Sequence, residues 1–227
     1  MSGKEQRIRA LIDAIVAFLE ENRKTAPAAE ATLKRLETTD RGPGAFADLP
    51  AKGSRHDTVL ETAISTVQSS PLHAIKSALI AAKPDLVWNE DEMKYYPPGS
   101  DLGEGYVRCN LHTLLIGPGA CGFHHDDFTL GLFMLGPRTL YRDHQHLAPE
   151  TYVTLSPRSG WRLADADWQD HPAGSIIFNP PNQIHATRVY DAPFLSVFSW
   201  LENINSQCAV VPRDDWPMIE RELADLG

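Results

Sequence analysis

The chain has 227 residues, of which 42% are hydrophobic and 22% are charged, and its formal net charge is −9 at pH 7. This length suits one domain with an extension, while the acidic balance argues against a nucleic-acid surface. Because no apolar run approaches the roughly 18 residues of a membrane helix and the N-terminus is too polar for a signal peptide, we expect a cytoplasmic protein without a membrane partner.

Helical patterns fill the first part of the chain. Apolar residues recur at helical spacing over residues 5–23, and a second helix is expected from Pro27 to about Glu37. After a loop the same spacing returns and continues up to Lys83-Pro84. We therefore predict that residues 1–84 form a helical region that packs on the remainder of the chain.

Beyond residue 85 the helical periodicity stops and short β-prone runs appear between Gly, Pro, Asn and Asp. These runs are Tyr106–Cys109, Thr113–Ile116, Thr129–Leu135, Glu150–Ser156, Ser175–Asn179 and Phe194–Trp200. Several short strands with turns between them predict a sandwich or barrel, which we assign to residues 85–205. Residues 206–227 are expected to form a tail with a short helix that starts at Trp216.

One stretch, residues 141–152, carries four chemically active side chains at even-numbered positions: His144, His146, Glu150 and Tyr152. Residues two apart on a strand share a face, so we predict that these side chains project together. Two imidazoles and a carboxylate suit a divalent transition metal, and His185, which follows a Pro-Pro-Asn turn, is the expected fourth ligand. Zn, Fe(II), Mn, Co and Ni would all accept this set.

This pattern, H-x-H-x3-E with a later histidine, is the metal signature of the cupin fold. The predicted fold class is therefore mainly β, a cupin (double-stranded β-helix or jelly-roll) barrel, with an all-α N-terminal extension. The opposite face of the strand at 150–156 is mainly apolar and needs cover. The N-terminal helices or a second subunit, as in a homodimer, could provide it.

Tyr152 is the first candidate for a general base. A phenol has an unperturbed pKa of about 10, and a neighbouring divalent cation would lower it by favouring the phenolate. Tyr141, three residues before His144, is the second candidate and is expected near the cavity mouth. His124 and His125 lie in an expected turn, where a structural or supporting role is favoured.

Two segments, residues 141–156 and 171–188, resemble the cupin-type dimethylsulfoniopropionate (DMSP) lyases, and most of all the DddL type. The chain departs from the general cupin pattern at Arg138 and Pro157, where glycines are expected. The resemblance implies a carbon–sulfur lyase acting on DMSP, a small zwitterionic sulfonium carboxylate. It further implies a β-elimination to dimethyl sulfide and acrylate, with a metal that acidifies the carbon next to the carboxylate and Tyr152 as the base.

Two other functions fit the same residues. The ligand set would also serve an Fe(II) cupin dioxygenase acting on a small thiol or acid, which oxygen uptake would reveal. A non-catalytic ligand-binding cupin is the third interpretation, although an intact, polar, metal-competent site argues against it.

Three cysteines without a C-x-x-C pair suggest neither a disulfide framework nor a thiolate metal site.

Overall fold

The computed structural model describes residues 2–226. Four α-helices lie in the N-terminal region: α1 Gly3–Asn22, α2 Pro27–Glu37, α3 Asp57–Ser65 and α4 His73–Ala82. The hydroxyl of Ser2 caps α1 by accepting a 3.1 Å hydrogen bond from the backbone N–H of Glu5, and Pro27 occupies the first turn of α2. None of the helices within residues 2–226 has the length and apolar character that crossing a membrane requires.

Ten strands follow in the described part of the chain. They are β1 Asn110–Ile116, β2 Thr129–Leu135, β3 Thr139–His146, β4 Glu150–Thr154, β5 Arg158–Leu163, β6 Gln169–Pro172, β7 Ile176–Asn179, β8 His185–Val189, β9 Phe194–Trp200 and β10 Cys208–Val210. The first sheet has the order β1-β2-β9-β4-β7 and the second sheet has the order β10-β3-β8-β5-β6, with antiparallel pairing throughout. This arrangement confirms the predicted fold class, a cupin barrel with helices in the N-terminal region.

The predicted strand at Tyr106–Cys109 is wrong. Residues Glu104–Arg108 form a short helix, α5, and the first strand begins only at Asn110. Gly103 precedes this helix at φ 89°, and the buried amide of Asn110 donates a 2.9 Å hydrogen bond to the carbonyl of Tyr106. This side-chain bond satisfies a carbonyl at the helix end, so local capping prevails over the β preference of Tyr and Val.

The N-terminal helices cover the outer face of the first sheet. Helix α2 packs against β4 and β7, and one apolar cluster joins Ile8 and Leu33 of the helices to Val153 and Leu155. The apolar face expected on this strand is thus buried against helices of the same chain. Fully burying an aliphatic side chain of this size contributes about 1.5–3 kcal/mol. The division into segments at 84/85 and 205/206 stays a prediction.

A last helix, α6 Trp216–Ala224, starts where the sequence predicts and packs on β3. Its residues Trp216, Ile219 and Leu223 form an apolar cluster with Leu140. Ion pairs strengthen the contact, since Arg142 of β3 binds Glu220 with hydrogen bonds of 2.9 Å to each carboxylate oxygen. The strand that carries His144 and His146 is therefore supported from behind by the C-terminal helix.

Candidate active site

Three histidines meet inside the barrel. His144 and His146 lie on β3, and His185 opens the neighbouring strand β8, directly opposite His144. One ligand nitrogen from each ring lies within 4.8 Å of the others, and all three residues are at most 4% exposed. Such a buried group of imidazoles can hold a metal ion.

The orientation of all three rings is fixed in the same way. The Nδ1 atoms of His144, His146 and His185 lie 2.8 Å from the backbone carbonyls of Arg142, Ala148 and Gln183. Because a carbonyl can only accept, each Nδ1 carries the proton and each Nε2 presents a lone pair. Metal-binding histidines are usually oriented by such a bond at the other ring nitrogen.

Glu150 approaches this group from the opposite sheet. Its Oε2 lies 3.3 Å from Nε2 of His146 and 3.5 Å from Nε2 of His185, and the latter nitrogen is buried without a hydrogen-bond partner. Lone pairs would face each other across these gaps unless a proton or a cation lay between them. The donor set therefore fits a divalent cation, with two imidazoles and a carboxylate already turned toward one point.

The carboxylate of Glu150 is held by its two neighbours across the sheet. Trp200 and Asn179 are its register partners on β9 and β7. The indole Nε1 of Trp200 donates to Oε1 at 2.8 Å, and the amide of Asn179 donates to Oε2 at 3.0 Å. Both bonds favour the ionised form and fix the direction of the carboxylate.

The protein alone keeps the key groups at this centre in defined ionisation states. Burial, followed by the charges of His185 and His146, lowers the pKa of His144 well below its usual range, so this imidazole stays neutral and able to bind a cation. Burial raises the pKa of Glu150, but its close contacts with His146 and His185 outweigh burial and hold this pKa well below normal.

Tyr152 lies on β4 and lines the same cavity as Glu150. Burial, and then the negative charge of Glu150 and hydrogen bonding to it, raise the pKa of Tyr152 well above 10. The predicted lowering therefore needs a bound cation, since the protein groups alone act in the opposite direction.

Tyr141 reaches the cavity through an irregularity in β3. The register between β3 and β8 shifts between Tyr141 and His144, so these two residues face the same side although their numbers differ in parity. The ring of Tyr141 stacks on that of His144 at 4.1 Å, and its hydroxyl lies 2.7 Å from the hydroxyl of Tyr96. Burial, followed by the charge of Tyr96, raises its pKa well above 10.

A model of the dimethylsulfoniopropionate lyase family matches residues 44–196 of this chain. The chain belongs to the DMSP lyase family. Dimethylsulfoniopropionate lyase DddQ of Ruegeria pomeroyi is 30% identical over 127 residues, which are 56% of this chain and 60% of that protein. The chain therefore spans less than two thirds of the length of this relative.

Two solved structures share the fold over most of the chain. A chain from the crystal structures of the DMSP lyases RdDddP and RnDddQII superposes with a TM-score of 0.69 at 21% identity, covering 93% of this chain and 100% of that one. The crystal structure of DddQ from Ruegeria pomeroyi DSS-3 gives a TM-score of 0.65 at 21% identity, with 89% and 96% covered. The narrower assignment to the DddL type stays a prediction.

In this DMSP lyase family member His144, His146, Glu150 and both tyrosines border one cavity of about 110 Å³. His185 completes the histidine cluster next to it. Phe198 and Trp200 line the cavity from β9, where they are two residues apart and so share one face of the strand. The sequence analysis missed a further group of lining residues: Asp91, Lys94, Tyr95, Tyr96, Tyr106, His112 and Cys208. Most of them lie outside the sheets, on the segment before β1, and only the Tyr95-Tyr96 pair could have marked that segment as functional.

Two histidines singled out in the sequence stay outside the site. The ring of His124 is exposed and lies 2.8 Å from Asp126, and Nε2 of His125 lies 3.1 Å from the hydroxyl of Thr38. Neither belongs to the buried cluster.

Cys208 does border the cavity, but burial, followed by the charge of Glu150, raises its pKa to about 12. This cysteine is therefore a neutral thiol near pH 7.

Proposed function

We propose that this protein cleaves dimethylsulfoniopropionate by β-elimination to dimethyl sulfide and acrylate. The observation that carries the proposal is the convergence of three fixed imidazoles and the carboxylate of Glu150 at the edge of a cavity that the phenol of Tyr152 also lines. Membership of the DMSP lyase family supports the choice of substrate. The proposal includes a cytoplasmic location, a small zwitterionic molecule as the substrate and a homodimer as the possible assembly.

His144, His146, His185 and Glu150 are the residues that would hold a divalent transition metal. Neutral imidazoles and one carboxylate leave room for a substrate oxygen, as catalytic sites require. When bound, the ion supplies Lewis-acid polarisation of the substrate carboxylate, which makes the adjacent carbon more acidic. Zn, Fe(II), Mn, Co and Ni all suit the donor set, and Trp200 and Asn179 keep Glu150 turned toward it.

Tyr152 is the proposed general base. As the phenolate, its oxygen takes a proton from the carbon next to the carboxylate of the substrate. The electron pair forms the carbon–carbon double bond, the carbon–sulfur bond breaks, and sulfur leaves as neutral dimethyl sulfide. The sulfonium is already a good leaving group, so no acid is needed. Tyr141, hydrogen-bonded to Tyr96, is the second candidate for the base and otherwise helps to position the substrate.

Two aromatic side chains of the cavity suit the sulfonium end of the substrate. Phe198 and Trp200 border the cavity next to Glu150 and Tyr152. The face of an aromatic ring attracts a cation within about 6 Å, so a sulfonium can rest there without a hydrogen-bond donor of its own. The small, largely apolar cavity also limits the water that could compete with the substrate for the base.

Detection of dimethyl sulfide in the headspace over purified protein and DMSP tests the proposal. We expect dimethyl sulfide and acrylate in equal amounts, loss of both after treatment with a chelator, and recovery when a divalent metal is returned. Oxygen consumption should stay at background, because an elimination needs no oxidant. Oxygen uptake without dimethyl sulfide would instead identify a dioxygenase, and bound metal without turnover of any sulfonium would identify a non-catalytic cupin.

A further inference from the structure

The mouth of the cavity carries two charges of opposite sign. Asp91 and Lys94 both border the inner cavity, and both also border a wider outer groove of about 920 Å³ that includes Lys52, Arg55 and Glu92. Tyr106 and His112 are shared by the two spaces in the same way. Asp91 and Lys94 therefore lie where the groove and the inner cavity adjoin.

Asp91 is a carboxylate held in place without a cationic partner. Its Oδ2 accepts a 2.6 Å hydrogen bond from the hydroxyl of Tyr106, and its Oδ1 accepts a 2.9 Å bond from the backbone N–H of Met93. Within residues 2–226, no lysine, arginine or histidine nitrogen lies within 4.0 Å of it. A carboxylate can accept about four hydrogen bonds, so half of this capacity is unused.

Lys94 is likewise a cation without a carboxylate partner. Its Nζ lies 4.8 Å from the centre of the Tyr95 ring and makes neither a hydrogen bond nor an ion pair with the described part of the chain. Two other charges of the groove neutralise each other, since Arg55 and Glu90 form an ion pair at 2.7 Å, whereas Lys52 and Glu92 border the groove but not the inner cavity. Among the described residues, Asp91 and Lys94 are thus the two charged side chains that have no ion-pair partner and border both the groove and the inner cavity.

The backbone holds these two residues on one tight turn. Met93, between them, has φ 59°, a left-handed conformation that a non-glycine residue adopts at a cost, and its carbonyl accepts a 2.9 Å bond from the N–H of Tyr96. The turn places an anion and a cation three residues apart at the entrance. Burial, then Tyr141 and the negative charge of Asp91, raise the pKa of Tyr106, whose hydroxyl donates to Asp91.

We propose that Asp91 and Lys94 select zwitterionic ligands, with Asp91 attracting the sulfonium and Lys94 attracting the carboxylate. The inference rests on the proposed function for the identity of the zwitterion. A sulfonium has no N–H or O–H to donate, so its recognition by a carboxylate is purely electrostatic and does not need the usual hydrogen-bond geometry. A ligand with only one of the two charges is attracted by only one of these residues, and a neutral ligand is attracted by neither, so both should bind more weakly than a zwitterion.

Binding of charged fragments to the metal-loaded protein tests this assignment without requiring turnover. Trimethylsulfonium carries only the positive charge and acrylate only the negative charge, and isothermal titration calorimetry measures the Kd of each. We expect Asp91→Asn to weaken trimethylsulfonium binding by about fivefold, the upper end of the range for an exposed ion pair, with acrylate changed by less than about twofold. Lys94→Gln should show the opposite pattern.

Two neighbouring substitutions serve as controls. Glu92→Gln and Lys52→Gln remove the same charges from residues that border only the outer groove. Neither should change fragment binding by more than about twofold, and 1 M salt should abolish the differences at Asp91 and Lys94, because the Debye length is then about 3 Å. The proposal is overturned if Asp91→Asn affects both fragments equally, or if Glu92→Gln has the same effect.

The two proposals can fail separately. If the parent protein releases no dimethyl sulfide but the fragments follow the expected pattern, the reaction is wrong and the charge selection stands. If dimethyl sulfide forms, Asp91→Asn and Lys94→Gln should lower kcat/KM for DMSP mainly through KM, since they contribute to binding and not to proton transfer. A loss confined to kcat would contradict the assignment.

Discussion

The indole Nε1 of Trp216 donates a 2.7 Å hydrogen bond to Oδ2 of Asp143, a residue with no exposed surface. Arg162 donates to the same carboxylate at 3.1 and 2.6 Å. Asp143 lies in β3 immediately before His144, and the carbonyl of its other neighbour, Arg142, accepts the bond from Nδ1 of His144. Helix α6 is therefore tied through a buried charge to the strand that presents two of the imidazoles.

Trp216→Phe should lower the free energy of unfolding by about 1–3 kcal/mol. The substitution keeps most of the ring but removes a donor from a buried carboxylate, and the cost of that loss is of this order. Urea denaturation measures the change. Trp168→Phe is the matched control, because the indole N–H of Trp168 is buried without a hydrogen-bond partner. Equal losses in the two variants would mean that the bond to Asp143 contributes nothing specific.

His185→Ala should lower the metal content of the purified protein and leave the fold intact. The ring supplies one of three convergent Nε2 atoms, and this nitrogen has no other partner. Elemental analysis by mass spectrometry gives the metal-to-protein ratio, and circular dichroism checks the fold. His171→Ala, on strand β6 and outside the cluster, should retain the parent ratio. A parent-like ratio in His185→Ala would exclude this residue as a ligand.

Tyr152→Phe should reduce kcat for DMSP by about 10²- to 10⁴-fold, the usual effect of losing a general base. Only one oxygen is removed, so metal content and stability should stay close to those of the parent. Proton exchange at carbon 2 of the substrate, followed by nuclear magnetic resonance in deuterated water, should disappear as well. A variant with most of its kcat would transfer the role of base to Tyr141.

His112 should make the protein less stable in mild acid. Burial lowers the pKa of His112; the charge of Asp91 opposes this effect, and those of Lys94 and Lys52 add to it. The imidazole takes up a proton near its ordinary pKa of about 6.5 in the unfolded chain but only at lower pH in the folded chain, so this contribution lowers the free energy of unfolding as pH falls below about 6.5.

Substitution of His112 isolates that contribution. The stability of His112→Gln relative to the parent, measured by urea denaturation, should increase as the pH falls over the same range, because the variant lacks this group. A pH-independent difference for His112→Gln would show that this imidazole does not couple protonation to folding.

The sequence carried enough information to predict the cupin barrel and the group of four ligand candidates, because residue types and even spacing are local properties. The reason for their convergence was different from the one expected. His146 ends β3 in the second sheet and Glu150 begins β4 in the first, so Leu147–Pro149 carries the chain across the barrel. The side chains meet because two sheets face each other, and not because one strand continues.

Other parts of the cavity depend on features that spacing does not encode. Tyr141 faces His144 only because of the register shift in β3, and parity alone would have separated them. Asp91, Tyr95 and Tyr96 enter the cavity from a segment without regular structure, where no periodic pattern exists to indicate a face. Long-range packing therefore decides these positions.

Strand β4 has no solvent side. Glu150 and Tyr152 border the cavity on one face, and Val153 is buried with the N-terminal helices on the other. Alternate side chains of β4 therefore point into two different regions, the cavity on one face and the apolar core beneath the N-terminal helices on the other. A repacking of α1 or α2 would shift that backbone and move the phenol and the carboxylate together. The geometry of the candidate site therefore depends on residues outside the cavity, including ones that precede the family match at residue 44.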